Sequence, residues 1–385
     1  MPLQKNWRCS ANLLITLAPG RENRSNSAFG VELGIQLLIA GRDLVRAQSL
    51  AAAVGGDARG IAIDLDGQGF TQALREAGVE LLIHTAGPFQ QQSYGVAAAA
   101  AAAGAHYIDL ADGRRFVCDF TAAMDQRFRA AGRSAISGAS TVPALSSAVV
   151  DHLCGGWSRI DTVDICIAPA QTAPRGRATL AAVLSYCGEP IQVWNRGRWQ
   201  LQVGWGRPER VAFARLRPRR GALCDIPDLE LFPQRYKVTQ RVMFRAAVEV
   251  GLAQRVFAML AALRAARLTG RPARLAGVLN HAARAFDFLG TSTGGMVVRV
   301  EGLDASSLPA ARAWHITADN DHGPEIPCMA AILLARRLAH GHTLATGATA
   351  CMNALKLAEF EPEFKRWGMV TDTVDEVADR GASPP

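Results

Sequence analysis

VELLIHTAGPFQQQSYGVAAAAAAAGAHYIDL, residues 79–110, decides how the first half of the chain is read. Val79–His84 is a short apolar run, suited to a strand buried on both faces. Thr85-Ala86-Gly87-Pro88 follows as a turn: Gly87 lets the backbone come close to a ligand and Pro88 fixes φ. Tyr94–Ala103 reads as a helix with seven consecutive alanines, closed by Gly104. His106–Leu110 is the next strand. Strand, helix and strand at this pitch predict a parallel sheet with right-handed crossovers.

The pattern extends outward in both directions. Ile35–Ile39 is a strand running up to Gly41, and Asp43–Val54 is a helix with Leu44, Ala47, Leu50 and Ala51 on one face. Arg59–Asp64 is a strand, Gln68–Ala77 a helix, Phe120–Ala131 a helix and Arg133–Ile136 a strand. From about Ile160 apolar and polar residues alternate, as in half-buried antiparallel strands. Val238–Leu289 reads as largely helical, broken near Gly270-Arg271-Pro272. GGMVVRVEGLD and ARAWHITAD read as two further strands, and Pro327–His340 as a helix. The expected fold class is α/β: a Rossmann-type parallel sheet domain followed by a mixed α/β (α+β) domain. The expected division is 1–150, with 18–30 atypical, then 151–325 for substrate and dimer contacts. Helices in 326–385 are expected to return to the first domain, ending in a flexible tail over 376–385.

Open parallel sheets bind ligands outside the carboxyl ends of their strands, where strand order reverses. Three junctions fall at such ends: Thr85-Ala86-Gly87-Pro88, Asp109, and Gly138–Thr141 ahead of Pro143. Each alone is an ordinary strand–turn–helix junction; three in one sheet point to one site.

Gly87-Pro88-Phe89, the alanine-rich helix ending in Ala103-Gly104, and His106-Tyr107-Ile108-Asp109-Leu110 together resemble the NADP-binding domain of the saccharopine dehydrogenase–like family. The resemblance covers about residues 35–150 and, more loosely, GATACMNALKLAEF at 347–360. It implies a Rossmann domain, a second α/β domain and hydride-transfer chemistry on a small carbonyl, imine or secondary amine. It does not imply saccharopine as substrate, because the family is broad. Cofactor choice is read from the residues: an NAD site places an acid at the end of the second strand, whereas here the strand ends in Ala40-Gly41-Arg42. A guanidinium there pairs with a 2′-phosphate, so NADP is expected over NAD, although Asp43 follows directly. Gly20, Gly41, Arg42, Thr85, Ala86, Gly87, Pro88, Asp109 and Gly138 are the expected cofactor-side residues.

The first unit of this sheet is irregular. Asn12–Leu17 fits a strand, but Ala18-Pro19-Gly20 offers one glycine where the family's turn carries three. Arg21–Ala28 holds two Asn, two Ser and two Arg with no apolar stripe. The length to the second strand is that of an intact unit. Pattern lost at preserved length predicts either a shifted reading frame joined near Phe29 or a degenerate site with poor cofactor affinity.

Composition narrows the rest. The chain has 385 residues, 49% hydrophobic, enough for two cores. No apolar stretch approaches a spanning helix and no clean signal-peptide cleavage site follows Leu13-Leu14-Ile15, so a cytoplasmic location is expected. The eight cysteines lack metal-ligand spacing and read as reduced buried thiols. Between Arg175 and Arg284 nineteen Arg and one Lys face six acids, a net +14, within a chain of +8. That charge suits a solvated face, an anionic substrate or an anionic lipid surface; no motif accompanies it for nucleic acid. Arg241–Leu289 has two readings, a core-facing amphipathic helix or an interfacial helix on an anionic membrane. His322, in ITADNDHGPEIP, and Asp109 are the catalytic candidates. His84 and His152 read as packed residues, and His340 and His342 as helix-end cations, so no metal site is expected. A non-catalytic nucleotide- or membrane-surface-binding protein is the rival to an oxidoreductase.

Sequencing the coding DNA across codons 1–35 checks the shifted frame. A neighbouring frame that encodes Gly-x-Gly-x-x-Gly supports it, and a clean frame without one rejects it.

Overall fold

The computed structural model describes residues 14–19, 35–65, 67–173, 184–268, 288 and 290–376. The chain divides into two units, Met1–Ala144 with Glu325–Met352, and Leu145–Pro324 with Asn353–Pro385. The segment after residue 325 is therefore shared between them.

In the first unit the elements are β1 (Leu14–Pro19), β2 (Ile35–Gly41), α1 (Leu44–Val54), β3 (Arg59–Ala62), α2 (Phe70–Glu76), β4 (Leu81–His84), α3 (Gly95–Ala103), β5 (His106–Asp109), α4 (Arg114–Ala130) and β6 (Ser134–Ser137). Asp43 starts α1 by accepting from the Arg46 N–H at 3.1 Å, and Gly55 ends it. Ala47 and Ala51 then bury against Leu37 and Ile39 of β2. Gly60 makes the neighbouring contact: a Cβ there would lie 2.3 Å from the Gln48 backbone nitrogen. The alanine run of α3 packs closely through Ala97, Ala100 and Ala101, and Gly104 caps it in the left-handed region at φ 76°. Phe116, Phe120 and Phe128 of α4 are buried, and Phe120 and Phe128 lie against Tyr107.

The second unit carries α5 (Ser146–Leu153), β7 (Arg159–Ala168), β8 (Pro190–Asn195), β9 (Arg198–Val203), β10 (Glu209–Val211), β11 (Arg219–Leu223), α6 (Asp228–Arg235), β12 (Arg241–Val248), α7 (Gly251–Ala265), β13 (Gly294–Leu303) and β14 (Pro309–Ala318). Then α8 (Ile326–Ala339) and β15 (Gly347–Ala350) return to the first unit, and α9 (Leu357–Arg366) and β16 (Val370–Glu376) belong to the second.

The first sheet has the order β15-β6-β5-β4-β1-β2-β3. The expected parallel arrangement holds for β2–β3, β4–β5, β5–β6 and β6–β15. The first strand corrects the expectation. β1 occupies the slot between β4 and β2 but runs antiparallel to both: Leu14 lies opposite Ala40 and His84, Leu17 opposite Leu37 and Leu81, and Pro19 opposite Ile35. A slot between two parallel strands offers hydrogen-bonding groups to a strand of either direction. Parallel insertion requires a crossover, and a stripe-free sequence at Arg21–Ala28 has nothing to hold a crossover helix on the sheet. Antiparallel insertion has no such requirement. It also puts Pro19, which lacks an N–H, at the last strand position. The chain leaves β1 at the amino edge of its neighbours. Gly20, an expected cofactor-side residue, lies outside the described residues.

The second sheet is mixed, β10-β11-β12-β7-β13-β14-β16, with β8 and β9 added on β12. Here the expected helix over Arg241–Leu289 is corrected. Arg241–Val248 is a strand, parallel to β7 and antiparallel to β11 and β8, and α7 begins only at Gly251. Val242, Met243 and Phe244 are buried in that sheet, and Arg245 is paired with Asp164 and Glu209. These residues are thus not the apolar face of an interfacial helix; residues 269–287 lie outside the described residues. No helix among the described residues is long and apolar enough to cross a membrane. Cys118, Cys154, Cys166, Cys187, Cys224 and Cys351 form no disulfide, whereas Cys328 is disulfide-bonded, which its spacing did not predict.

The direction of β1 is testable by cross-linking. Mild oxidation of L17C/L81C is expected to give a bridge mapped by peptide mass, because the two positions are opposed, while L14C/L81C gives none. The reverse outcome identifies a parallel strand.

Candidate functional site

Three strands of the first unit end at one level. His84 lies beside Asp109 in the β4–β5 register. The Leu110 N–H reaches the His84 carbonyl at 3.3 Å, and the Ala139 N–H the Asp109 carbonyl at 2.8 Å. The turns after β4, β5 and β6 thus leave the same carboxyl edge. Gly41-Arg42 leaves that edge at β2, across the slot that β1 fills. Strand order reverses there, as in a doubly wound sheet.

Asp109 ties the edge together from below. It is fully buried, and its Oδ1 accepts from Gly138 N at 2.8 Å, Ser137 Oγ at 3.0 Å and Ala111 N at 3.0 Å. Its Oδ2 has no hydrogen-bond partner. Burial raises the carboxyl to about 6, against the lowering effect of these donors. Gly138 has its own internal reason to be glycine: φ is +78°, and a Cβ would lie 2.7 Å from Pro143 Cδ. Asp109 and Gly138 therefore hold β5 and β6 in place, and a fully buried Asp109 carboxyl does not itself line a solvent path.

His84 is the second buried ionisable group. Its Nδ1 lies 3.0 Å from the Tyr107 hydroxyl, and its Nε2 has no hydrogen-bond partner. Burial lowers it to about 4, so it is neutral at neutral pH, the Ala86 carbonyl giving only a partial counter-effect. Phe89 packs edge-on against the ring at 5.0 Å.

The open part of the edge is the turn after His84. The Gly87 N–H reaches the Thr85 carbonyl at 3.0 Å, and Gln92 Nε2 holds the Ala86 carbonyl at 2.5 Å. Ala86 is buried and Pro88 exposed. Nothing internal demands glycine at 87: a Cβ would meet only the Phe89 side chain and backbone, no nearer than 3.6 Å. A side chain there would make only ordinary van der Waals contact with Phe89. At β2, Arg42 is exposed and has no ion-pair partner among the described residues, and Asp43 is engaged in capping α1.

The other catalytic candidate, His322, lies in the second unit. Its Nδ1 is 2.9 Å from the Trp367 carbonyl and its ring sits on Trp367. Asp319 beside it accepts from Thr293 and Ser292, which with the Asn320 N–H hold its carboxyl below the usual range. Those bonds organise loops. Among the described residues no group of His, Cys, Asp and Glu is arranged to hold a metal ion. Sequence reasoning passed over Asp228, fully buried, bonded by Ser146 Oγ at 2.5 Å and raised by burial to about 7. It also passed over Gln254, 1% exposed. Nothing in a linear pattern marks a polar residue as buried.

His84 and Asp109 give opposed pH dependences. Unfolding returns Asp109 from about 6 to 3.8, so its contribution is full below about 4 and is lost as pH rises through 6. Unfolding returns His84 from about 4 to 6.5, so its contribution is full above 6.5 and is lost as pH falls to 4. The pair nearly cancels. Asp109→Asn is expected to leave the His84 slope uncovered, with the unfolding free energy, measured by denaturant titration, falling toward pH 4 by about 3 kcal/mol more than in the wild type. An unchanged pH profile contradicts this balance.

No model of a known protein family matches the chain, and no curated protein matches it. Among solved structures, saccharopine dehydrogenase (L-Glu forming) from Saccharomyces cerevisiae, in its apo form, aligns with a TM-score of 0.60 at 11% identity, covering 88% of this chain and 94% of that one. An NAD-binding oxidoreductase from Klebsiella pneumoniae aligns at a TM-score of 0.34 and 12% identity, over 89% of this chain and 90% of its own. GenD2 from gentamicin A biosynthesis, in complex with NAD, aligns at 0.30 and 12%, over 73% and 64%. The first of these shows the fold: the chain has the α/β architecture of saccharopine dehydrogenase.

Proposed function

We propose that the chain is built as an NADP-dependent oxidoreductase of the saccharopine dehydrogenase–like group, exchanging hydride with a small carbonyl, imine or secondary amine. The observation that carries this reading is the open carboxyl edge at the switch point. A free guanidinium, Arg42, ends β2, and a glycine with no internal need for its missing side chain, Gly87, ends β4. The fit to a dinucleotide is uneven. Arg42 suits a 2′-phosphate, all the more because the Asp43 carboxylate is occupied by the α1 amide. The backbone of Thr85, Ala86, Gly87 and Pro88 suits the ribose–nicotinamide side. The pyrophosphate position does not fit: with β1 reversed, no glycine turn after β1 stands at this edge among the described residues.

A bound nicotinamide would supply the hydride chemistry, and this chain's residues would bind and orient it. Asp109 and His84 act through the backbone they hold, since both are fully buried. They are positioning residues, and no proton donor is assigned.

The reversed β1 favours a second reading, a protein that keeps the fold without turnover and binds a nucleotide or an anionic membrane surface. Titration with NADPH and NADH, followed by energy transfer from tryptophan, separates the two. The oxidoreductase reading expects NADPH to bind about tenfold or more tightly than NADH, and Arg42→Ala to remove that preference. Replacing residues 18–30 with a glycine turn and an amphipathic crossover helix, which lets β1 run parallel to its neighbours, is expected to strengthen both by about tenfold or more. Absence of binding before and after restoration favours the second reading.

A further inference from the structure

The second unit holds a cavity that belongs to no part of the site above. Its volume is about 340 Å³, and it is lined by Pro208, Arg220, Gly251, Gln254, Arg255 and Ala258. Gly251, Gln254, Arg255 and Ala258 share one face of α7 at i, i+3, i+4 and i+7. Gln254 is 1% exposed, yet neither its Nε2 nor its Oε1 has a hydrogen-bond partner. An amide buried with both ends unmet costs free energy that a chain can shed by carrying leucine instead.

The charges point the same way. The residue before α7, Val250, gives it no side-chain cap, and its first turn has no acid, so its free N–H groups favour an anion. Arg220 lies directly opposite Arg210 in the β10–β11 ladder, an unfavourable pairing of like charges. Arg210, Arg220 and Arg255 have no ion-pair partner among the described residues. The nearby acids are committed elsewhere: Glu209 to Arg245 at 2.5 Å, and Glu249 to Arg219 at 3.3 Å and the amides of Gln171 and Thr291.

We infer that this cavity binds a small molecule through an oxyanion, phosphate or carboxylate, held by Arg220, Arg255 and the amino end of α7, while the Gln254 amide meets a donor and an acceptor on the same ligand. The site is independent of the dinucleotide reading.

Isothermal titration of the full chain with inorganic phosphate and with succinate, at ionic strength matched with chloride, tests it. Saturable binding of either at one site per chain is expected, and which anion binds more tightly separates phosphate from carboxylate. R220Q/R255Q, two exposed changes, is expected to weaken that binding about tenfold or more. Arg42→Ala should leave it unchanged. Gln254→Leu is expected to move two readouts in opposite directions: a rise in Tm without anion of about 2–4 °C and a loss of anion affinity. No saturable binding of either anion overturns the inference, as does R220Q/R255Q binding as tightly as the wild type.

Discussion

The candidate site rests on one buried carboxyl group. Asp109 Oδ1 gathers donors from its own turn and from the start of the next, so the ends of β5 and β6 are held at a fixed height. Burial opposes its charge, and the three donors favour it. Such a group acts as a clamp rather than a reagent: the backbone around it is positioned, and the turn at Gly87, one strand away, is left open. Gly138 completes the clamp, since its left-handed backbone and its contact with Pro143 leave no room for a side chain.

Against this ordered edge stands the reversed first strand. β1 fills the central slot and satisfies the backbone groups of β2 and β4, which is enough to keep the sheet continuous. Filling the slot and building the cradle are separable tasks. An apolar hexapeptide accomplishes the first in either direction. The second requires a parallel strand followed by glycines and a helix amino end at the carboxyl edge. The chain therefore keeps the architecture of a dinucleotide fold while lacking, among its described residues, the backbone approach that binds a pyrophosphate.

Much of this was legible in residues 79–110, where strand, turn and helix are punctuated by Gly87, Pro88 and Gly104, and the helix over Asp43–Val54 was legible from its apolar face and its cap. The direction of Leu14–Pro19 was not, because LITLAP has the same apolar character read either way and only its connection sets direction. Arg241–Val248 was misread as helix for a related reason: RVMFRAAV is a short, mostly apolar run, and its partner β7 lies about 80 residues away in sequence. Asp109 was legible as a strand-end acid but not as a buried one, since burial depends on Tyr107, Ser137 and Gly138 closing over it. Gln254 was invisible, as any polar residue on an otherwise ordinary helix is.

Hydrogen exchange resolved by peptide, with and without saturating NADPH, tests the central claim most directly, because it reports where a ligand sits as well as whether it binds. Slowed exchange is expected in peptides covering Gly41–Arg46 and Ala86–Gln92, with Leu14–Pro19 unaffected. Protection confined to Leu14–Pro19, or none at the ends of β2 and β4, would contradict a dinucleotide site at this edge.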